Sequence, residues 1–457
     1  MDAIRRRAAA VLTALVAALV VTGCSGAAGS GPGARHDVAP SDLPITGASS
    51  GPVDVGARNA LADLQAYWTQ QFPGVFGKDF PNLQGGIFSV DPAHVDPGEF
   101  PDGVGCGTAP EDVKNNAFYC QSPGTPHSDS ISYDRTFLAG LADQYGAFLP
   151  DMVMAHEYGH AVQARTASPD SSIATETQAD CYAGAWTRWV EDGKSKHTTI
   201  NKQELDQLLR GYLRLRDPVG TAQTNEMAHG SAFDRISAFQ EGYDAGPPAC
   251  RDDFGADRVF TQGTFSDLDI QTGGNAPYEQ LQDIMSKGFP QFWDGVFPDT
   301  FGKQYTAPTL QPYGTATPSC ATAGLQLVYC SQGPLVGYDE PQLTVPAYRD
   351  IGDFAVVTGV AVPYGLGVRD QIGRSDQDGA AYRSAVCLAG WFSSAVFAGQ
   401  IEGLKISPGD LDEGVQFLLQ YGQDPKVLPG ADRSGFQLVD LFRQGFLHGG
   451  QPCDVGL

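Results

Sequence analysis

The sequence predicts an α+β fold dominated by helix and present in two copies. Three observations carry that expectation: long segments with helical apolar spacing, a few short alternating segments, and four blocks that recur in the same order. Leu61, Leu64, Tyr67, Trp68 and Phe72 recur at helical spacing, which predicts an amphipathic helix over 57–72. Gly86–Val90 and Ser130–Tyr133 alternate like strands. Residues 135–146 and 148–165 read as helices. Another runs over about 173–190 after the turn Ser168-Pro169-Asp170-Ser171, and a fourth over 202–216.

The repeat is explicit. Tyr67-Trp68 and Phe292-Trp293 each open a segment that continues through Val-Phe to Phe-Gly-Lys. AFYC ending at Cys120 matches LVYC ending at Cys330, CYAGAW from Cys181 matches CLAGWF from Cys387, and the segments ending at Cys250 and Cys453 match in spacing from Gly242 and Gly445. A first unit over 56–253, a connector over 254–277 and a second unit over 278–457 follow. Symmetry between the copies predicts the pairs Cys106–Cys120, Cys181–Cys250, Cys320–Cys330 and Cys387–Cys453, each stabilising by about 2–4 kcal/mol.

The ninth cysteine has another use. Arg5, Arg6 and Arg7 precede an apolar run over 8–22 that is short for a membrane span. It ends in Val21-Thr22-Gly23-Cys24, similar to a bacterial lipobox. Residues 1–23 are therefore expected to be a signal peptide and Cys24 a lipidated first residue, anchoring the chain on the extracytoplasmic face of the bacterial cell membrane. Residues 24–55, rich in Ser, Gly, Ala and Pro, read as a flexible tether with a reach of about 30 Å. With 29 basic against 53 acidic residues, the net charge is −24. That excludes a nucleic-acid surface, which needs a basic footprint. An oxidising compartment suits the eight paired cysteines.

The segment carrying chemistry is MVMAHEYGHAVQ over 152–163. His156 and His160, four apart on a helix, present both imidazoles to one cation, and Glu157 between them reaches a water on that cation as general base. A catalytic zinc takes three protein ligands and leaves one position open. Glu176 is the expected third ligand. Asp180, one turn on, would accept from the other nitrogen of His156 and fix its tautomer. His229 is a softer candidate for stabilising negative charge on the carbonyl oxygen. The acids around Asn225-Glu226 and Asp252–Asp257 lack the spacing of a calcium loop. No phosphate loop or serine nucleophile elbow is present.

HEYGHAVQ, then ETQADCYAGAW, then His229-Gly230-Ser231 strongly resemble the neutral zinc metallopeptidases of bacteria, whose pattern is HExGHHVQ followed by ELQADCxAGxW. CGTAPEDVKNNAFYC with SISYD resembles that family's upstream region. The resemblance covers roughly 60–250, and Glu-x-x-Ala-Asp is similar to the third-ligand segment of gluzincins generally. Ala161 and Thr177 depart from the pattern without touching a ligand or the base. The resemblance implies a zincin-like catalytic domain with an endopeptidase-type site acting on peptide or protein substrates.

The second copy lacks the site. His156, Glu157 and His160 align with Val362, Pro363 and Leu366. Glu176 and Asp180 align with Tyr382 and Val386, and His229 with Asp432. One zinc, in the first unit only, is therefore expected. The second unit reads as a degenerate pseudo-peptidase. Two rivals stand beside the peptidase reading: a catalytically silent zinc-binding scaffold lipoprotein, and a metal-dependent amidase of cell-wall peptides.

Overall fold

The computed structural model describes residues 38–457, apart from 97 and 315. Cys24 and the signal-peptide reading of 1–23 lie outside the described residues. No helix among the described residues is long and apolar enough to cross a membrane.

The fold is α+β and mostly helical. The first half runs α1 (Pro52–Phe76), β1 (Gly86–Val90), β2 (Ala117–Cys120), β3 (Ser130–Asp134), α2 (Arg135–Tyr145), α3 (Phe148–Gln163), α4 (Ser172–Glu191), α5 (Lys202–Leu215), α6 (Ala232–Ala245) and α7 (Pro247–Asp252). The expected connector holds the short α8 (Asp267–Thr272). The second half runs α9 (Tyr278–Phe301), β4 (Thr309–Tyr313), β5 (Leu327–Cys330), β6 (Leu335–Asp339), α10 (Val345–Asp350), α11 (Asp353–Ile372), α12 (Gly379–Phe397), α13 (Asp410–Tyr421) and α14 (Gly435–His448). Each half has one three-stranded sheet, in the orders β1-β3-β2 and β4-β6-β5. In both, the middle strand pairs parallel with the first strand and antiparallel with the second. All four expected disulfides form.

The tether reading is corrected at its far end. Thr46 bridges to Phe88 on the open side of β1, Ser41 N–H donates to Asn59 Oδ1 at 2.8 Å, and Arg58 Nε donates to the Leu43 carbonyl at 3.1 Å. An edge strand gains from backbone pairing, and that outweighs the polar composition. α1 also begins earlier than its apolar periodicity, at Pro52, because proline suits a first helical turn that lacks N–H partners.

The halves share one apolar core. Phe233 on α6 packs against Phe442 and Phe446 of α14, with ring centroids 6.3 and 4.9 Å away. Phe436 on α14 packs against Phe239 and Tyr243 of α6, at 6.4 and 4.9 Å. These contacts are reciprocal, as in an interface made by one surface meeting its own copy.

Candidate metal centre

α3 and α4 cross at Gly159. A Cβ built there would lie 2.9 Å from the Ala179 Cα, so only glycine permits this approach. The closeness brings Glu176 of α4 onto the α3 face bearing both histidines. His156 Nε2 is 3.2 Å from Glu176 Oε2 and 3.2 Å from His160 Nε2. His160 Nε2 is 3.5 Å from Glu176 Oε2. Ligands held about 2.0–2.1 Å from a tetrahedral ion stand roughly 3.3–3.4 Å apart. The three atoms therefore already have the spacing of one face of such a tetrahedron.

The outer hydrogen bonds say what these atoms are. His156 Nδ1 is 2.8 Å from Asp180 Oδ1, a carboxylate that only accepts. His160 Nδ1 is 2.8 Å from Gln163 Oε1. The Gln163 amide nitrogen is committed to the Thr175 carbonyl at 2.7 Å and to Gln178 Oε1 at 3.0 Å, so its oxygen must face the histidine. Both Nδ1 atoms thus carry hydrogen, and in the neutral rings both Nε2 atoms present bare lone pairs. Two lone pairs and a carboxylate oxygen converge on one point, an arrangement that requires a positive charge. The donor set fits zinc.

Electrostatics agree. Burial lowers His156, but the Asp180 carboxylate and then Glu176 more than reverse it, raising the metal-free imidazole to about 10. Burial raises Glu176, yet hydrogen bonds from both histidines hold it well below the usual carboxylate range. Asp180 is fully buried and held bidentately by Arg235, at 2.8 and 2.9 Å. Arg235 also donates to the Leu215 carbonyl at 2.7 Å.

Glu157 faces the same cleft. Burial pushes its pKa up, while the two imidazoles and the Tyr119 N–H pull it down; the net shift is upward. That amide donates to Oε2 at 2.7 Å and belongs to β2, an edge of its sheet. Alternation along an antiparallel strand turns the Ala117 backbone to the same side as Tyr119, away from β3. The cleft has a volume of about 790 Å³. β2, an apolar group of Phe137, Met152, Val153 and Leu215, and the pair Asp217 and His229 contribute to its lining.

Compared with known proteins, the chain is similar to curated relatives that are themselves described only as uncharacterized. Proteins of Mycobacterium tuberculosis and Mycobacterium bovis are each 33% identical over 181 residues, covering 34% of this chain and 59% of the relative. YpfJ of Escherichia coli is 28% identical over 177 residues, covering 33% of this chain and 58% of YpfJ. The chain thus spans less than two thirds of the length of these relatives. No family model matches the chain, and no solved structure matches it.

The structure places His156, Glu157, His160, Glu176 and His229 along one cleft, with Asp180 behind His156. His229 lies in the cleft through a partner not foreseen: its Nδ1 is 3.1 Å from Asp217 Oδ1, and its backbone N–H donates to Oδ2 at 2.8 Å. Arg235, Gln163 and the Tyr119 amide were also unforeseen. Gln163 ends the HEYGHAVQ segment at helical distance from His160, a signal that was available. Arg235 had only an indirect one, since a carboxylate as buried as Asp180 needs a cation. In the second half, Val362, Leu366, Tyr382 and Val386 are buried. Gly365 meets Ala385 as Gly159 meets Ala179, and the aligned positions carry Val362, Leu366 and Tyr382 in place of the two imidazoles and the carboxylate.

Proposed function

We propose that this chain is a zinc-dependent peptidase, lipid-anchored through Cys24 outside the cytoplasm, with a duplicated, catalytically silent zincin-like second half. One observation carries the reading: two imidazole lone pairs and one carboxylate converge at ligand spacing beside a buried glutamate, in an open cleft walled by a strand edge. His156, His160 and Glu176 would hold the ion. When bound there, zinc supplies Lewis acidity toward a carbonyl and a water. Glu157, buried beside the ligands with its Oε2 held by the Tyr119 N–H, takes the proton of the attacking water and passes it to the leaving amine. The outward backbone of Ala117 pairs with an extended peptide, as unpaired strand edges do. His229, when protonated, donates from Nε2 to the carbonyl oxygen as charge builds there. The four disulfides fit an oxidising compartment.

Glu157→Gln tests the reading. The expected variant retains one zinc per chain by metal analysis and loses about 10²–10⁴-fold in casein turnover, the usual contribution of a general base. Equal turnover by variant and wild type, or none by the zinc-loaded wild type, would reject the peptidase and favour a zinc-binding scaffold.

A further inference from the structure

The loop that carries Asp217 and His229 lies between α5 and α6. Asp217 N–H donates to the Gly230 carbonyl at 3.2 Å, closing the loop on itself. Both of its ends are gripped by one carboxylate from the other half of the chain. Asp412 on α13 is almost wholly buried. Its Oδ2 accepts from Arg216, which precedes Asp217 and lines the cleft. Its Oδ1 accepts from the Phe233 N–H at 2.8 Å, in the first turn of α6, just beyond His229 and Gly230. Two residues further along α6, Arg235 grips Asp180, and Asp180 holds His156.

The opposite half carries the mirror arrangement. Asp206 on α5 accepts from Phe436 N–H at 2.7 Å, from Gly435 N–H at 3.0 Å and from Gln423. It clamps the matching loop of the second half, where the positions aligned with the ligands are Val362, Leu366 and Tyr382. Both carboxylates are buried and accept from a first-turn N–H of the helix they hold, but Asp412 also meets the Arg216 guanidinium where Asp206 meets the Gln423 amide, and only the Asp412 clamp reaches a residue lining the cleft.

We propose that the second half completes the cleft of the first, with Asp412 as a positioning residue that sets the Asp217–His229 loop and the start of α6. The inference rests on the peptidase reading for its catalytic consequence, and on the clamp geometry for its structural one.

The test compares Asp412→Asn with Asp206→Asn in the full-length, zinc-loaded protein. Hydrogen exchange at 217–231 should rise about tenfold in Asp412→Asn and stay unchanged in Asp206→Asn. With casein as substrate, kcat/KM should fall about tenfold in the first variant and less than about twofold in the second. In a His229→Asn background, Asp412→Asn should cost little more, because the two act through one loop. If Asp412→Asn does not fold, Arg216→Gln tests the same clamp from the cleft side with the same readouts. Unchanged exchange at 217–231 in Asp412→Asn, or equal effects of the two aspartate variants, overturns the proposal. A wild type that turns over no casein rejects the peptidase reading alone, and the exchange measurement still decides the clamp.

Discussion

At His156 two carboxylates compete for one imidazole: Asp180 on Nδ1 at 2.8 Å and Glu176 on Nε2 at 3.2 Å. In the metal-free protein the ring answers with a proton, which is why its pKa stands at about 10. An unfolded chain would give about 6.5. The sign follows from linkage: this stabilisation is fully present below the unfolded value and is lost as pH rises through the folded one. A zinc ion held there would take the place of that proton, so binding near pH 7.5 should release at least one proton per ion. Calorimetric titration in buffers of different ionisation enthalpy measures this directly. A binding heat independent of buffer would mean that His156 is already neutral, contrary to the geometry. Sequence reading reached the ligands because i, i+4 spacing on a helix is local. It missed Arg235 because Asp180 lies 55 positions away, and burial of a carboxylate names the sign of its partner but not its address.

Between elements, the approach of α3 to α4 decides whether Glu176 reaches the histidines at all. Replacing an exposed helical glycine by alanine ordinarily stabilises by about 1 kcal/mol. Gly140 in α2 has nothing near its would-be Cβ, so Gly140→Ala should raise stability by up to that amount. At Gly159 the same methyl would meet the Ala179 backbone at 2.9 Å. Gly159→Ala should therefore destabilise by about 1–3 kcal/mol and weaken zinc binding as α4 is pushed away. Urea denaturation and metal competition measure the two effects; a stabilised Gly159→Ala with full zinc affinity would show that the helices can part without consequence. The long helices were legible because Tyr67, Trp68 and Phe72 repeat along one face. β2 was not: Ala117–Cys120 is four residues long, with a half-buried side chain at every position, so no alternation marks it. Its importance comes from an outward backbone N–H, which leaves no trace in side-chain chemistry.

Across the whole molecule, the disulfide partners were readable from the repeat, whereas the surface joining the halves was not. Phe233 and Phe436 look like ordinary core residues of their own helices, and only the structure shows each buried against the opposite half. One apolar cluster spans both halves, so the packing of each is continuous with that of the other. Unfolding should be a single transition, and zinc held in the first half should stabilise the second as well. At a thousandfold excess over its dissociation constant, zinc would add about 4 kcal/mol. Phe436→Ala, which deletes a ring from the second half, should cost about 3–5 kcal/mol and lower the midpoint reported by every probe. Exchange measured through the denaturation range distinguishes the outcomes, since it follows 148–191 and 353–397 separately. If zinc shifts only the first segment, or if Phe436→Ala loosens only the second, the halves are separate domains in contact. If both segments move together, the two halves fold as one cooperative unit and the second half stabilises the candidate metal centre of the first.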